Sequence, residues 1–169
     1  MTSPPAPTPP TPPAALAEFG IPHPRPFSVD IHVDTAQLSD TVDHVSNVEY
    51  VRWLDRAAER HADSLGYTRQ RMLEEGRMWF VARHEIDYVA EAGLGDRLVM
   101  ATWVRDMQRV KSWRDYLLVR PADSTVIVRA ATLWVYVDLA RRRPTRIPAA
   151  MSDRFDPLHL RPGRSCTSR

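Results

Sequence analysis

A single change of hydrophobic period most constrains the fold of this chain. Val48, Val51, Leu54, Ala58, His61/Ala62 and Leu65 recur at three- and four-residue spacing, the stripe of one amphipathic helix. Ser46 or Asn47 can cap its start with a short side-chain oxygen, Glu49 suits the dipole there, and Gly66 ends it. A shorter helical stretch over 68–75 closes at Gly76. From residue 77 onward the period falls to 2, so strands make up nearly all of the remaining core.

Phe27, Val29, Ile31 and Val33 alternate with polar residues and predict a first strand before the helix. Beyond it, Phe80, Ala82, His84, Ile86, Tyr88 and Ala90 fall on one face of a long second strand, with Arg83, Glu85 and Asp87 on the other. Gly93 and Gly95 supply a turn, and strands over 98–105, 112–120 and 125–138 follow, split by polar breaks at 106–110 and 121–124. Short links favour an antiparallel meander. A helix flanked by such strands buries its stripe on the sheet, which predicts an α+β domain with an antiparallel sheet wrapped around one long central helix.

Fifteen of the 169 residues are proline, and ten of those lie in the first 26. That segment reads as a disordered or extended arm, 27–153 as the folded domain, and 154–169 as a C-terminal tail. The arm lacks a basic stretch followed by an apolar one, and no run of eighteen apolar residues occurs, so the expectation is a soluble, cytoplasmic protein without a membrane partner. Cys166 is the single cysteine, which excludes a disulfide framework and a multi-cysteine zinc site. The net charge of +2 hides local concentrations of arginine over 105–114 and 141–146. With no aromatic interleaving in the later cluster and no nucleic-acid motif, a solvated strand end or a site for a nucleotide's phosphates fits better than nucleic acid. There is no internal repeat, no phosphate-cradling glycine loop and no His-Glu-x-x-His pattern; no metal or cofactor is expected.

The densest polar cluster runs Ser39-Asp40-Thr-Val-Asp43-His44-Val-Ser46-Asn47-Val-Glu49-Tyr50, immediately before the helical stripe. It resembles the signature of hot-dog thioesterases of the 4-hydroxybenzoyl-CoA thioesterase type, approximately Asp-x-x-Gly-His-Val-Asn-Asn-x-x-Tyr. Asp40, His44, Val45, Asn47 and Tyr50 match in place, while Asp43 stands for the usual Gly and Ser46 for the first Asn. The likeness extends over about residues 27–149, including Trp53-Leu-Asp-Arg-Ala57, Val135-Tyr-Val-Asp-Leu139 and Arg146-Ile-Pro148.

The resemblance implies hydrolysis of an acyl thioester of coenzyme A or of an acyl carrier protein. Asp40 would serve as general base on water or as direct nucleophile, and the Asn47 backbone N–H at the helix start would polarise the thioester carbonyl. Elementary physics agrees: the first turn of a helix has N–H groups without intrahelical partners and about half a unit of positive charge, which suits an oxyanion. Carboxylates are ionised at neutral pH, and a thiol of pKa about 8.5 leaves readily as thiolate, so no strong general acid is needed. His44 either orients the water or carboxylate or holds the loop. Glu59 and His61, one to two turns further along, read as solvated or packed.

Coenzyme A carries phosphates, for which Arg109, Lys111 and residues 141–143, Arg141 first among them, are the available cations. Residues 110–113, Ser112 included, resemble the family's strand beside pantetheine, where an edge backbone can pair with the ligand's amides; an ordinary hairpin strand is the other reading. The resemblance also implies homodimers or homotetramers with sites at the subunit boundary, for which Trp79, Trp103, Trp113 and Trp134 suit buried contacts if they are not core. The rival readings are a noncatalytic acyl-CoA-binding hot-dog protein and a hot-dog hydratase or dehydratase. The usual Gly-Asp-x-Asn-Pro context of the latter is missing.

Overall fold

The computed structural model describes residues 14–160. Strand β1 (Phe27–His32) leads through a 3-10 turn at Thr35–Gln37 to helix α1 (Asn47–Ser64) and the short helix α2 (Arg69–Glu74). Strands β2 (Arg77–Tyr88), β3 (Arg97–Gln108), β4 (Lys111–Arg120) and β5 (Thr125–Asp138) follow, then the two-residue β6 (Arg143–Pro144) and α3 (Ala149–Phe155). All pairings are antiparallel and the order across the sheet is β1-β3-β4-β5-β2, with β6 beside β5. The α+β expectation holds, but the meander is limited to β3-β4-β5. β2 pairs with β5 instead of β3, because the segment over 89–96 is longer than a hairpin needs and carries the chain to the far side of the sheet.

α1 lies on the concave face and buries Tyr50, Trp53, Leu54, Ala57 and Ala58 against Val29, Val33, Met100, Leu118 and Ile127, with Ala62 buried in the cluster of Tyr67, Val104 and Phe155. The buried stripe is thus rotated from the expected one, since Val48 is 57% exposed. Two aromatics, Tyr50 and Trp53, offer more apolar surface than the valines beside them and so take the inner face. A second correction concerns β2. A register shift between Val81 and Arg83 flips the alternation, so Trp79 packs inward before it, while His84 and Ile86 face inward after it and Phe80 is left exposed.

Both faces of β3 and β4 are covered. On the outer face, Val99, Ala101, Trp103, Leu117 and Val119 pack against Leu16, Phe19 and Ile21 from the N-terminal segment and Leu158 beyond α3. Residues 14–26 are therefore a strap and not a free arm: the three apolar anchors outweigh the missing hydrogen-bond donors of the prolines. His23 Nε2 lies 3.0 Å from the Asp156 carbonyl, and Arg25 Nη2 donates to Asp156 Oδ2 at 3.0 Å, so the strap is tied to the chain that follows α3. The core also runs past the expected boundary at 153, because Phe155 is buried beside Tyr67, Tyr136 and Met151. Residues 1–13 and 161–169, with Cys166, lie outside the described residues. Among those described, no helix is long and apolar enough to cross a membrane.

Candidate active site

The conspicuous motif forms a closed loop at the mouth of α1. Asp34 caps the preceding 3-10 turn: its carboxylate accepts from Ala36 N at 2.8 Å while Gln37 Oε1 accepts from Asp34 N at 2.7 Å. Leu38 and Val45 then pair as an isolated bridge, and Ser39 N donates to the His44 carbonyl at 2.8 Å, so residues 40–43 form the tip. The Asp40 carboxylate is exposed on this tip and makes no hydrogen bond or ion pair with any described residue. His44 is half-buried, its Nδ1 3.9 Å from Glu91 Oε1.

The loop is hung from the core. Val45 is fully buried and its N–H donates to the Ala92 carbonyl at 2.9 Å, while Ser46 N donates to the Gln37 carbonyl at 2.9 Å. α1 begins one residue later. Ser46, at its N-cap, makes no side-chain cap hydrogen bond to the first turn, and the Asn47 N–H, the first of the helix, has no intrahelical partner. Tyr50 walls this end, edge-on to Tyr88 with ring centres 5.4 Å apart, and burial pushes its phenol above the ordinary value, keeping it neutral.

The structure therefore brings Asp40, His44 and Asn47 together in one stretch beside the start of β3, and it places the expected coenzyme A contacts elsewhere. Arg109 occupies the β3–β4 turn at φ 38°, Lys111 opens β4, and Arg141 follows β5. All three are exposed and lie at one end of the sheet, where Ile147 N donates to the Arg109 carbonyl and Arg141 N to Asp138 Oδ1. That end is the far end of β3, twelve residues long, or about 36 Å from its start at roughly 3.3 Å per residue. Ser112 is withdrawn altogether: it is buried and its hydroxyl donates to the Asp106 carbonyl at 3.0 Å. Nor is residues 110–113 an exposed edge, because β4 is hydrogen-bonded to β3 on one side and to β5 on the other. Of the tryptophans, Trp103 is core on the outer face and Trp79 packs against Tyr136.

Sequence reading missed the support of the motif loop. Arg120, at the end of β4, donates to Asp96 Oδ2 at 2.8 Å and to the Glu91 carbonyl at 3.2 Å; Asp96 Oδ2 in turn accepts from Gly93 N at 3.0 Å. Hydrogen bonds to the Asp123 carboxylate first, and to that of Asp96 second, raise the Arg120 guanidinium above its ordinary value. The turn so fixed carries Ala92, whose carbonyl holds Val45. No spacing rule links Arg120 to a loop eighty residues away in sequence, so the signal is visible only in three dimensions.

A model of the family described as the thioesterase-like superfamily matches residues 35–155. The chain belongs to the thioesterase-like superfamily. Among curated relatives, the acyl-CoA thioesterase YbgC of Haemophilus influenzae is 28% identical over 134 residues, covering 78% of this chain and 94% of its own. The chloroplastic oleoyl-acyl carrier protein thioesterase 1 of Arabidopsis thaliana is 24% identical over 147 residues, which cover 83% of this chain but only 39% of that longer protein. Among solved structures, Slr0204, a 1,4-dihydroxy-2-naphthoyl-CoA thioesterase from Synechocystis, superposes with a TM-score of 0.72 at 21% identity over 79% of this chain and 98% of its own. The superfamily member described here thus has the hot-dog fold, a curled antiparallel sheet with a helix packed against it.

Proposed function

We propose that this protein hydrolyses an acyl thioester of coenzyme A or an acyl carrier protein to free acid and thiol. The observation that carries the reading is a carboxylate, Asp40, held without a partner at the mouth of a helix whose first turn lacks its side-chain cap. As general base, Asp40 takes a proton from water as the hydroxide oxygen bonds to the thioester carbonyl carbon; as nucleophile, it bonds to that carbon itself, and water then cleaves the resulting anhydride. In either route the carbonyl oxygen becomes an oxyanion facing the Asn47 N–H, the C–S bond breaks, and the thiolate leaves. His44 orients Asp40 or the water. The relatives named as acyl-CoA and acyl carrier protein thioesterases support both carriers.

The separation of Asp40 from Arg109, Lys111 and Arg141 favours a homodimer. β2 is an edge strand on which Phe80 and Val81 are exposed near one end and Tyr88 at the other. Its Tyr88 end adjoins the motif loop through Tyr50, and its Arg77 end adjoins the cationic end through the Arg77↔Asp138 pair. Antiparallel pairing of two β2 edges about a two-fold axis sets the loop of one subunit beside the cations of the other. The test is thiol release from short, medium, long and aromatic acyl-CoAs and from acyl carrier protein thioesters, with sedimentation of the same sample. Turnover of at least one class by a dimer is expected. Tight acyl-CoA binding without release would instead indicate a noncatalytic binder.

A further inference from the structure

A cavity of about 510 Å³ lies between the C-terminal half of α1, α2, the start of β2 and Phe155, within the size range of small-molecule sites, about 300–1,000 Å³. Its α1 lining begins at Asp55, eight residues beyond Asn47, or about 12 Å along the helix at 1.5 Å per residue. None of Asp40, His44 or Asn47 lines it. Met72, Met78, Trp79, Met107 and Phe155 make its walls apolar.

Arg114 lines this cavity from β4 and is only 5% exposed. Its Nη1 donates to Thr102 Oγ1 at 3.2 Å and lies 2.9 Å from His61 Nδ1, and its guanidinium stands 5.6 Å from the Phe155 ring centre. All three partners are uncharged, since burial, and after it the Arg114 charge, hold the His61 imidazole well below its ordinary value. No carboxylate of a described residue lies within 4.0 Å of Arg114. Guanidinium does not give up its proton in proteins and has five N–H donors, of which Nη1 alone is engaged here. A buried cation among neutral groups is unfavourable until an anion joins it.

The acids on the cavity wall do not fill that role. Asp55, Glu59 and Asp63 line it from α1 at four-residue spacing and are partly or fully exposed. Arg69 engages Glu59 at 3.1 Å and approaches Asp55 at 4.0 Å. The charge order is a largely neutralised acidic rim, an apolar middle and a cation at the inner wall.

We propose that this cavity binds an amphipathic carboxylate, its acid on the free N–H groups of Arg114 and its apolar body along Met72, Trp79 and Phe155. Paired N–H donation from a guanidinium matches the two oxygens of a carboxylate. Two sources offer this chemistry: a free medium-chain acid, or the terminal acid of an acyl group still on its carrier. Binding does not depend on the thioesterase reading; only the second source does.

The test reads tryptophan fluorescence, since Trp79 and Trp134 line the cavity, on titration with sodium decanoate and with decanol, an uncharged amphiphile of the same chain length. Decanoate should bind about ten-fold or more tightly than decanol. Arg114→Met should abolish that preference and leave decanol binding in place, and Arg114→Lys should restore part of it. Equal binding of decanoate and decanol by the wild type would overturn the proposal, a comparison that stands even if Arg114→Met fails to fold. So would saturable decanoate binding unchanged in Arg114→Met. Competition on Asp40→Asn protein then separates the sources. Displacement of decanoate by an ω-carboxyacyl-CoA but not by the plain acyl-CoA of equal length marks the substrate's own terminal acid; displacement by neither marks the free acid. Neither outcome requires turnover, so loss of the hydrolase reading and loss of this one are read separately.

Discussion

Arg120 Nη1 donates to Asp96 Oδ2 at 2.8 Å, and through this contact one side chain on β4 fastens the turn that carries the motif loop. Arg120→Met frees Asp96 and the Glu91 carbonyl together. A displacement of about 1 Å at reacting groups costs up to roughly 100-fold in rate. The expected result is a fall in kcat of about 10- to 100-fold with a smaller change in KM. Steady-state kinetics on the best thioester checks this, with urea denaturation to confirm that the variant is folded.

The rotation of the α1 stripe has a direct stability test. Leu54 is fully buried and Val48 is largely exposed. Leu54→Ala is expected to cost about 2–5 kcal/mol, whereas Val48→Ala should stay within about 0.5 kcal/mol. Equal effects in chemical denaturation would return Val48 to the inner face.

Removal of residues 1–26 uncovers Val99, Ala101, Trp103, Leu117 and Val119 on the outer sheet face. An exposed apolar patch of this kind drives self-association. The truncated chain is expected to bind a hydrophobic dye and to sediment as larger species than the full chain, and Leu16→Ala should move partway in the same direction.

Much of the fold was legible because its signals are local. The long helix, its start near Asn47 and the strands over 98–105, 112–120 and 125–138 follow from periodicity, and the place of Asp40, His44 and Asn47 at the helix mouth follows from their being contiguous, while their roles come from the family resemblance alone. What periodicity could not supply was pairing and direction. The partner of β2, the bulge that turns Phe80 outward, and the interior place of β4 depend on contacts between distant segments. Ser112 illustrates the cost: the resemblance puts it on an edge beside pantetheine, whereas it is a buried donor to the Asp106 carbonyl on a strand paired on both sides. For His61 the sequence leaves solvated and packed roles open; the structure packs it, against Arg114, a cation that composition alone places on the surface.

His61 also gives a pH dependence. Its pKa in the folded protein lies well below the ordinary 6.5, through burial first and the Arg114 charge second. Below about pH 6.5 the unfolded chain therefore takes up a proton that the folded chain refuses, so this contribution is complete above that pH and is lost as the pH falls toward the folded value. His84, lowered by burial against an opposing pull from Asp55, acts in the same direction. Urea midpoints measured between about pH 5 and 8 should fall on the acid side, and His61→Gln should flatten the slope by at most about 1.4 kcal/mol per pH unit.

The most direct measurement is the turnover of Asp40→Asn against wild type on the best acyl thioester, with thiol release followed over time. The substitution keeps the side chain's size and removes its charge. Because the exposed Asp40 carboxylate makes no hydrogen bond or ion pair with any described residue, stability should be unchanged while kcat falls by about 100-fold or more. Turnover equal to wild type would contradict the account and take the Asp40 carboxylate out of the chemistry.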